Sequence, residues 1–175
     1  MNPTVVGEAQ AVSSRRRIVI GIGEYAVASD PYAVIVTHAL GSCIAVCLWD
    51  PVAGVGGMIH VLLPESAINP ARATVQPAAF ADTGIPLLFH AAYEHGARKA
   101  RCRVHLVGGA TISIGSSEPP SVGKQNVLAA RQILWRNGVP VEGEDVGGVA
   151  ARNVTLAIGD GTLQFGNALI GASVL

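Results

Sequence analysis

Two short runs of apolar residues, at positions 43–49 and 57–63, place the strongest constraint on the fold of this chain. Residues that favour strands fill both runs, and Asp50-Pro51 together with several glycines separates them. This pattern predicts a β-hairpin, because turn residues between two such runs let the strands pair antiparallel. Apolar residues are nearly continuous in both strands, so we expect the hairpin to be buried on both faces.

Further segments surround the predicted hairpin. Apolar residues from Ile85 to Tyr93 recur at helical spacing, with Asp82 or Thr83 to cap the helix and Gly96 to end it. A second helix is predicted from about Lys124 to Arg136. The additional predicted strands are 17–22, 33–38, 103–107, 139–142, 153–158 and 162–167, the last two as a hairpin, and the predicted loops are 64–77 and 113–123. These elements predict an α+β fold in which helices cover a sheet.

Charge and hydropathy narrow the classes of partner. The chain has 12 basic and 12 acidic residues, so no overall positive field attracts nucleic acid or an anionic membrane. The mean hydropathy of +0.43 is high. Even so, no run reaches the roughly 18 apolar residues that a membrane-spanning helix needs. We therefore expect neither nucleic-acid binding nor insertion into a membrane.

The N-terminal region and the cysteine count bear on location and domain organisation. Arginines at 15–17 precede an apolar run as in a signal peptide, but that run ends at Glu24 and no small-residue cleavage site follows. We expect a cytoplasmic protein, and its three cysteines, an odd number, favour reduced thiols. A chain of 175 residues suits one domain, which we place at 15–175 after a disordered leader at 1–14.

The predicted hairpin brings a cysteine and a histidine together. Cys43 and His60 are seventeen residues apart and lie at its open end, within a residue or two of facing each other. Opposed Cβ atoms in antiparallel strands are about 5 Å apart, so the thiol and the imidazole can meet. A nucleophilic cysteine needs such a base. If the strand that carries Thr37 lies beside His60, its hydroxyl can orient the imidazole as the third member of a triad.

The residues just before Cys43 offer a second requirement of nucleophilic catalysis. Gly41 lets the backbone approach a ligand closely, and the turn through Gly41 and Ser42 presents backbone N–H groups near the sulfur. Such groups stabilise a thiolate and, later in a reaction, an oxyanion. We therefore expect Gly41 and Ser42 to line the substrate and oxyanion site.

Other readings of these residues stay open. Cys43 can be a small buried hydrophobic residue and His60 a hydrogen-bonded sheet histidine, while Cys47, on the same face as Cys43, is better explained as core. His38, Cys43, Cys47 and His60 together offer four zinc ligands, although their spacing is not typical of a zinc site.

Two further patterns carry less weight. Gly21–Ala26 matches the G-x-G-x-x-A fingerprint of dinucleotide-binding proteins, but Pro31 follows too soon for the helix that such a site needs. Cys102 and His105 fall on opposite faces of a predicted strand, which favours structural roles for both.

Several segments resemble the chemotaxis protein CheD family. The most specific ones surround the cysteine and the histidine and are Leu40–Val46, Trp49–Pro51, Gly56–His60 and Leu63-Pro64. Further similar segments, which extend the resemblance over about residues 17–167, are Gly21–Glu24, Asp82–Leu88, Gly108–Ala110, Val122–Asn126 and Glu144–Gly148 with Arg152.

The resemblance implies an enzyme, a chemoreceptor glutamine deamidase. Such an enzyme hydrolyses glutamine side chains of methyl-accepting chemotaxis receptors, in their cytoplasmic helical region, through a cysteine thioester. The family triad of Cys, His and Thr corresponds to Cys43, His60 and Thr37 and needs no metal or cofactor. The implied fold is a three-layer α/β/β sandwich similar to the catalytic domain of deamidating bacterial toxins. The alternative function is a non-catalytic adaptor that binds the receptor or the phosphatase CheC, a partner of some family members.

The sequence departs from the usual family pattern at three places outside the triad. These are His38-Ala39, Val122–Asn126 and His105–Val107. They leave the preferred receptor and the docking of CheC open. Asn126 and Arg152, which lie in resembling segments, are interpreted as structural residues.

Overall fold

The structure, a computed structural model, describes residues 16–111, 121–167 and 171–174, which form two five-stranded sheets and three α-helices. The strands are β1 Arg16–Val19, β2 Tyr25–Ala28, β3 Ala33–Leu40, β4 Ile44–Asp50, β5 Val55–Val61, β6 Arg103–Gly108, β7 Gly143–Val146, β8 Arg152–Ala157, β9 Leu163–Asn167 and β10 Gly171–Val174. The helices are α1 Pro70–Val75, α2 Ala81–Glu94 and α3 Val122–Arg136. The predicted α+β class is confirmed, whereas the predicted leader lies outside the described residues.

Sheet B, with strand order β2-β5-β4-β6-β7, is built around the hairpin of β4 and β5. Ile44 faces Val61 and Asp50 faces Val55, so the connecting turn spans residues 51–54. The predicted hairpin is confirmed, with each strand displaced by one or two residues. All of β5 and all of β4 except Trp49 are buried, as the continuous apolar pattern predicts.

Sheet A has the strand order β1-β3-β8-β9-β10. Strand β3 lies between β1, with which it runs parallel, and β8, with which it runs antiparallel. The predicted C-terminal hairpin is confirmed as β8 and β9. The register of β3 shifts between Thr37 and Leu40, where Ala39 has a φ of 56°. This β-bulge bends the end of β3 towards the turn that leads into β4.

The core consists of two clusters on opposite faces of sheet B. Ile44, Val46 and Leu48 of β4 pack in one cluster with apolar residues of α2 and α3. Ala45 and Cys47 of the same strand pack in the other cluster with apolar residues of β3 and β8. Because side chains alternate along a strand, a strand covered on both faces is apolar at nearly every position. In the described part of the chain, no helix is long and apolar enough to cross a membrane.

Some predicted elements were wrong in place or kind. The strand predicted at 139–142 is β7, four residues later, because Val139 instead closes the end of α3 by donating its N–H to Leu134 O. Both helices α2 and α3 are confirmed. Asp82 does not cap α2; its carboxylate accepts hydrogen bonds from Ser66, and the N-cap position belongs to Phe80.

Helix α1 and strand β2 were missed by the sequence interpretation. Helix α1 lies within the predicted loop 64–77, where Asn69 caps it by accepting from Arg72 N and Pro70 occupies its first turn. Strand β2 follows the glycine turn at 21–23, where the dinucleotide fingerprint requires a helix. The absence of a helix after Gly21–Ala26, which the sequence interpretation expected from Pro31, argues against a dinucleotide site there.

Candidate active site

The open end of the β4–β5 hairpin carries Cys43 and His60. Ala45 faces His60 across the strand pair, and Cys43 lies two residues before Ala45 on the same face of sheet B. The two side chains are therefore diagonal neighbours, as the spacing predicts. Both are buried, with 7% of Cys43 and 1% of His60 exposed.

Thr37 approaches His60 from the other sheet. Its Oγ1 lies 2.8 Å from His60 Nδ1, and the same hydroxyl donates to Ile20 O at 3.0 Å. A hydroxyl has one proton, so the Thr37 oxygen accepts its second hydrogen bond from Nδ1–H of the imidazole. This assigns the tautomer of His60: the proton is on Nδ1, and Nε2 carries a free lone pair.

The backbone of His60 is fixed as firmly as its ring. Gly23 N donates to His60 O at 2.8 Å, and His60 N donates to Glu24 O at 2.9 Å. The glycine turn before β2 thus holds one side of the site. Gly23 has a φ of 73°, and a Cβ at this position would lie 2.5 Å from the Gln76 side chain. The Gln76 side chain could move aside, so the positive φ is what favours glycine here.

The free nitrogen of His60 is the unusual feature of the site. Nε2 is buried and has no hydrogen-bond partner among the residues that the structure describes. Burial lowers the pKa of His60 to about 4, so the imidazole is neutral at pH 7. Most buried polar atoms are paired, and an unpaired basic nitrogen on the same sheet face as a thiol, although not hydrogen-bonded to it, is suited to accept a proton once the two approach.

Cys43 is a protonated thiol in this arrangement. Burial raises its pKa, and its own backbone N–H, which lies against the sulfur, only partly offsets this effect. The sequence interpretation expected a stabilised thiolate. The structure differs because the imidazole is itself uncharged and so cannot stabilise a thiolate by forming an ion pair.

The turn before β4 is held through its carbonyl groups. Gly41 O accepts from Ala110 N at 2.8 Å, Ser42 O accepts from Asn126 Nδ2 at 2.9 Å, and Cys43 O accepts from Gly109 N at 2.7 Å. By contrast, the N–H groups of Ser42 and Cys43 have no carbonyl or side-chain oxygen partner in the described ranges. The Ser42 N–H is therefore free to bind an oxygen of a ligand, whereas the Cys43 N–H, which lies against its own sulfur, would be shared between the sulfur and that oxygen.

Positive φ angles at Gly108 and Gly109 explain why the Cys43 N–H is left unpaired. A regular antiparallel pair would exchange two hydrogen bonds between Cys43 and Gly109. Gly108 and Gly109 have φ of 115° and 65°, so β6 turns away and only the bond from Gly109 N to Cys43 O forms. A Cβ at Gly108 would lie 2.4 Å from Cys43 O, so the approach requires glycine.

The four residues of the alternative zinc site do not converge. His38 is exposed and hydrogen-bonds Arg17 through Nε2, on the opposite face of β3 from the buried Thr37. No group of three or more metal-binding side chains occurs within 16–111, 121–167 and 171–174. Cys47 faces His105 across β4 and β6, whereas Cys102 packs in the cluster with α2 and α3.

Asn126 and Arg152 have contacts that the sequence interpretation did not foresee. Asn126 donates to Ser42 O and to Leu62 O, at the two strand ends that carry Cys43 and His60. Arg152 donates to Asp145 at 2.8 Å and to Gly147 O at 2.7 Å, which fixes the loop after β7. Asn126 is a polar residue within the buried stripe of α3 that includes Val127, and this mismatch is the signal that could have found it.

Comparisons with known proteins agree on one family. The family described as CheD chemotactic sensory transduction matches residues 62–166, a range that begins just after His60. "Probable chemoreceptor glutamine deamidase CheD 2" of Anaeromyxobacter dehalogenans is 47% identical over 86% of this chain and 95% of that protein. A relative from Solibacter usitatus, "Probable chemoreceptor glutamine deamidase CheD", is 44% identical over 84% of this chain and 86% of its own.

A third relative is "Chemoreceptor glutamine deamidase CheD" of Thermotoga maritima, 43% identical over 83% of this chain and 88% of that protein. Among solved structures, a Neisseria meningitidis protein of the DUF152 family aligns with a TM-score of 0.44 at 15% identity. That alignment covers 72% of this chain and about half, 52%, of the Neisseria chain. The extent of the sequence matches shows that the chain belongs to the CheD family.

Proposed function

We propose that this chain is a chemoreceptor glutamine deamidase, a cysteine amidohydrolase that converts receptor glutamine side chains to glutamate and releases ammonia. Its curated relatives carry that name over most of their length. The observation that carries the proposal is the Thr37–His60 hydrogen bond of 2.8 Å, which leaves a free buried Nε2 at the strand end beside Cys43.

The first half of the reaction forms a thioester. His60 Nε2 takes the proton of the Cys43 thiol while Sγ attacks the carboxamide carbon of the substrate. The carbonyl oxygen becomes an oxyanion, which the N–H groups of Ser42 and Cys43 bind, with Gly41 giving close access. His60, now cationic and held by Thr37, gives its proton to the amide nitrogen; the C–N bond breaks and ammonia leaves.

The second half of the reaction consumes water. Neutral His60 takes a proton from a water molecule, whose oxygen attacks the thioester carbon. The C–S bond breaks, the sulfur recovers a proton and the product is a glutamate side chain. The net reaction is hydrolysis of one amide bond, and the receptor gains one negative charge, which can bias the signalling state of a helical bundle.

A neutral thiol and a neutral imidazole require the proton transfer to accompany the attack on the substrate. The low pKa of His60, about 4, keeps the base free down to mildly acidic pH. We therefore expect kcat to stay nearly constant between pH 8 and pH 6. A preformed thiolate–imidazolium pair would instead lose activity as the pH rises to 8 and the imidazolium deprotonates.

The proposal includes finer points that rest on the family resemblance. The two core clusters on opposite faces of sheet B support a three-layer α/β/β sandwich similar to the catalytic domain of deamidating toxins. We also propose a single domain at 15–175 and a cytoplasmic enzyme. Its substrates would be the cytoplasmic helices of the receptors, and the phosphatase CheC would be a further partner.

The test is mass spectrometry of a receptor fragment that is incubated with the purified protein, with ammonia measured in parallel. Glutamine-to-glutamate conversion with matching ammonia release supports the proposal, provided that the C43A variant abolishes both. C47A is the matched control, because Cys47 lies four residues on, on the same strand face, and is also buried. Binding of the fragment without any conversion would contradict the proposal and favour the adaptor function.

A further inference from the structure

We propose that Asn126 of α3 is a positioning residue that aims the Cys43 N–H at the reacting atoms. This inference rests on the proposed function, because it concerns the oxyanion site of the same reaction. Asn126 is fully buried and does not lie on the strands that carry the triad. It acts through the backbone, by way of the peptide group between Ser42 and Cys43.

The planar peptide group transmits the effect. Ser42 C=O and Cys43 N–H belong to one trans peptide unit, so the two bonds point in opposite directions. Asn126 Nδ2 holds the oxygen of this unit at 2.9 Å, and its N–H is thereby turned to the other side, against the Cys43 sulfur. The neighbouring unit is held in the same way, because Ala110 N binds Gly41 O and so directs the Ser42 N–H.

The second hydrogen bond of Asn126 ties the nucleophile to the base. Its other Nδ2 proton goes to Leu62 O at 3.0 Å, and Leu62 lies two residues after His60. One amide group therefore bridges the end of β5 and the start of β4, outside the last ladder pair of Ile44 and Val61. Without this bridge, nothing in the β4–β5 ladder holds the two strand ends together beyond that pair.

The orientation of the amide follows from its surroundings. Nδ2 faces two carbonyl oxygens, so exchanging the amide oxygen and nitrogen would place three oxygens against one another. Asn126 Oδ1 is buried and has no partner within the described ranges. A buried unpaired oxygen is costly, and a residue that served only to fill space would be better replaced by an apolar one.

The experiment compares N126D with N137D. Aspartate has the shape of asparagine, but its carboxylate cannot donate to Ser42 O or Leu62 O. Asn137 lies at the other end of α3, where its Nδ2 donates to Ile133 O, so N137D removes a side-chain bond of the same helix away from the site. Ammonia release gives kcat and KM, and peptide mass spectrometry gives the pH dependence of Cys43 alkylation by iodoacetamide.

We expect N126D to lower kcat by about 100-fold at pH 8, with KM changed much less, because misdirecting one oxyanion donor costs about that much. The deficit should shrink towards pH 6, because a protonated carboxyl regains one donor while His60 is still neutral. Alkylation of Cys43 should move to higher pH in N126D. N137D should match the wild type in all three measurements.

The outcomes separate this inference from the proposed function. If the wild type releases no ammonia, the proposed function fails, and the alkylation profile alone decides about Asn126. A folded N126D with wild-type kcat and alkylation profile overturns the inference.

If N126D does not fold, N126A is measured in its place. Proton exchange in the wild type then gives a further test: both Nδ2 protons of Asn126 must be protected, and rapid exchange of either contradicts the bridge.

Discussion

Both ends of the β4–β5 hairpin bury polar groups, but those at the turn end are hydrogen-bonded and two atoms at the open end are not. At the turn end, Asp50 is fully buried and accepts hydrogen bonds from the N–H groups of Val52, Ala53 and Arg98 and from two nitrogens of Arg101. At the open end, His60 Nε2 and Asn126 Oδ1 are buried and unpaired among the described residues.

This difference separates a stabilising network from a reactive one. Burial alone raises the pKa of Asp50, but the hydrogen bonds from Arg101, Arg98, Ala53 and Val52 outweigh it and lower the pKa to about 2. No such compensation exists for His60, whose pKa falls to about 4 by burial. Buried groups whose hydrogen bonds are all made stabilise a fold. A buried group with an unpaired atom keeps the capacity to exchange a proton with a substrate.

The largest expected effect is at the open end. C43A should lower the rate of ammonia release by at least about 1,000-fold, because the proposed reaction proceeds through the Cys43 thioester. Its free energy of unfolding should fall by only about 1 kcal/mol, since the substitution removes a single buried sulfur atom. Chemical denaturation and the ammonia assay check the two values. A C43A variant that turns over at a tenth of the wild-type rate would exclude Cys43 as the nucleophile.

The opposite outcome is expected at the turn end. D50A should lower the free energy of unfolding by about 3 kcal/mol, because three backbone N–H groups and the Arg101 guanidinium lose their acceptor. Arg101 is 27% exposed and can partly rehydrate, which limits the loss. Urea denaturation measures the loss, and kcat per folded molecule should stay at the wild-type value. A large fall in kcat with an unchanged free energy of unfolding would contradict the assignment of a stabilising role to the turn end.

Acid should weaken the two ends in separate pH ranges. The pKa of His60 is depressed from 6.5 in the unfolded chain to about 4 in the folded protein. Below pH 6.5 the unfolded chain binds a proton that the folded protein does not. The free energy of unfolding is therefore unaffected by His60 above pH 6.5 and falls by about 3 kcal/mol as the pH falls to 4. The pKa of Asp50 is lowered from 3.8 to about 2, so the stability that ionised Asp50 contributes to the folded protein is lost only below pH 3.8.

The H60Q variant separates these two ranges. It should remove most of the decline in unfolding free energy between pH 6.5 and pH 4, with a remainder from His105, whose pKa is also lowered by burial, and leave the decline below pH 3.8. Urea titrations at closely spaced pH values measure both. An unchanged decline above pH 4 in H60Q would show that another group is responsible.

The smallest expected effect concerns Thr37. T37V should lower kcat by about 10- to 100-fold, because His60 Nδ1–H loses its acceptor and the ring can adopt the other tautomer. T37S keeps the oxygen and should retain most of the activity. The KM should change little in both variants. Equal kcat in T37V and T37S would mean that the hydroxyl does not orient the imidazole.

Local pattern predicted much of the fold and the proximity of two candidate site residues. The β4–β5 hairpin, α2, α3 and the β8–β9 hairpin follow from hydrophobic period and turn residues, and the pairing of Cys43 with His60 follows from the hairpin. Strand β7 was misplaced because it is a short polar edge strand whose pairing with β6 is parallel and non-local. The roles of Ala110 and Asn126 depend on contacts between distant segments, which no local pattern contains.

The origin of Thr37 in sheet A has a consequence for when the enzyme becomes active. Cys43 and His60 come from sheet B, but β3 takes its place beside β8, and Thr37 pairs there with Val154. A ribosome has synthesised most of the chain before β8 emerges. Cys43 and His60, the proposed nucleophile and base, are therefore synthesised well before the strand that fixes Thr37. We therefore expect a chain that ends before β8 to lack the fixed Thr37 hydroxyl and to deamidate at the reduced rate expected of T37V.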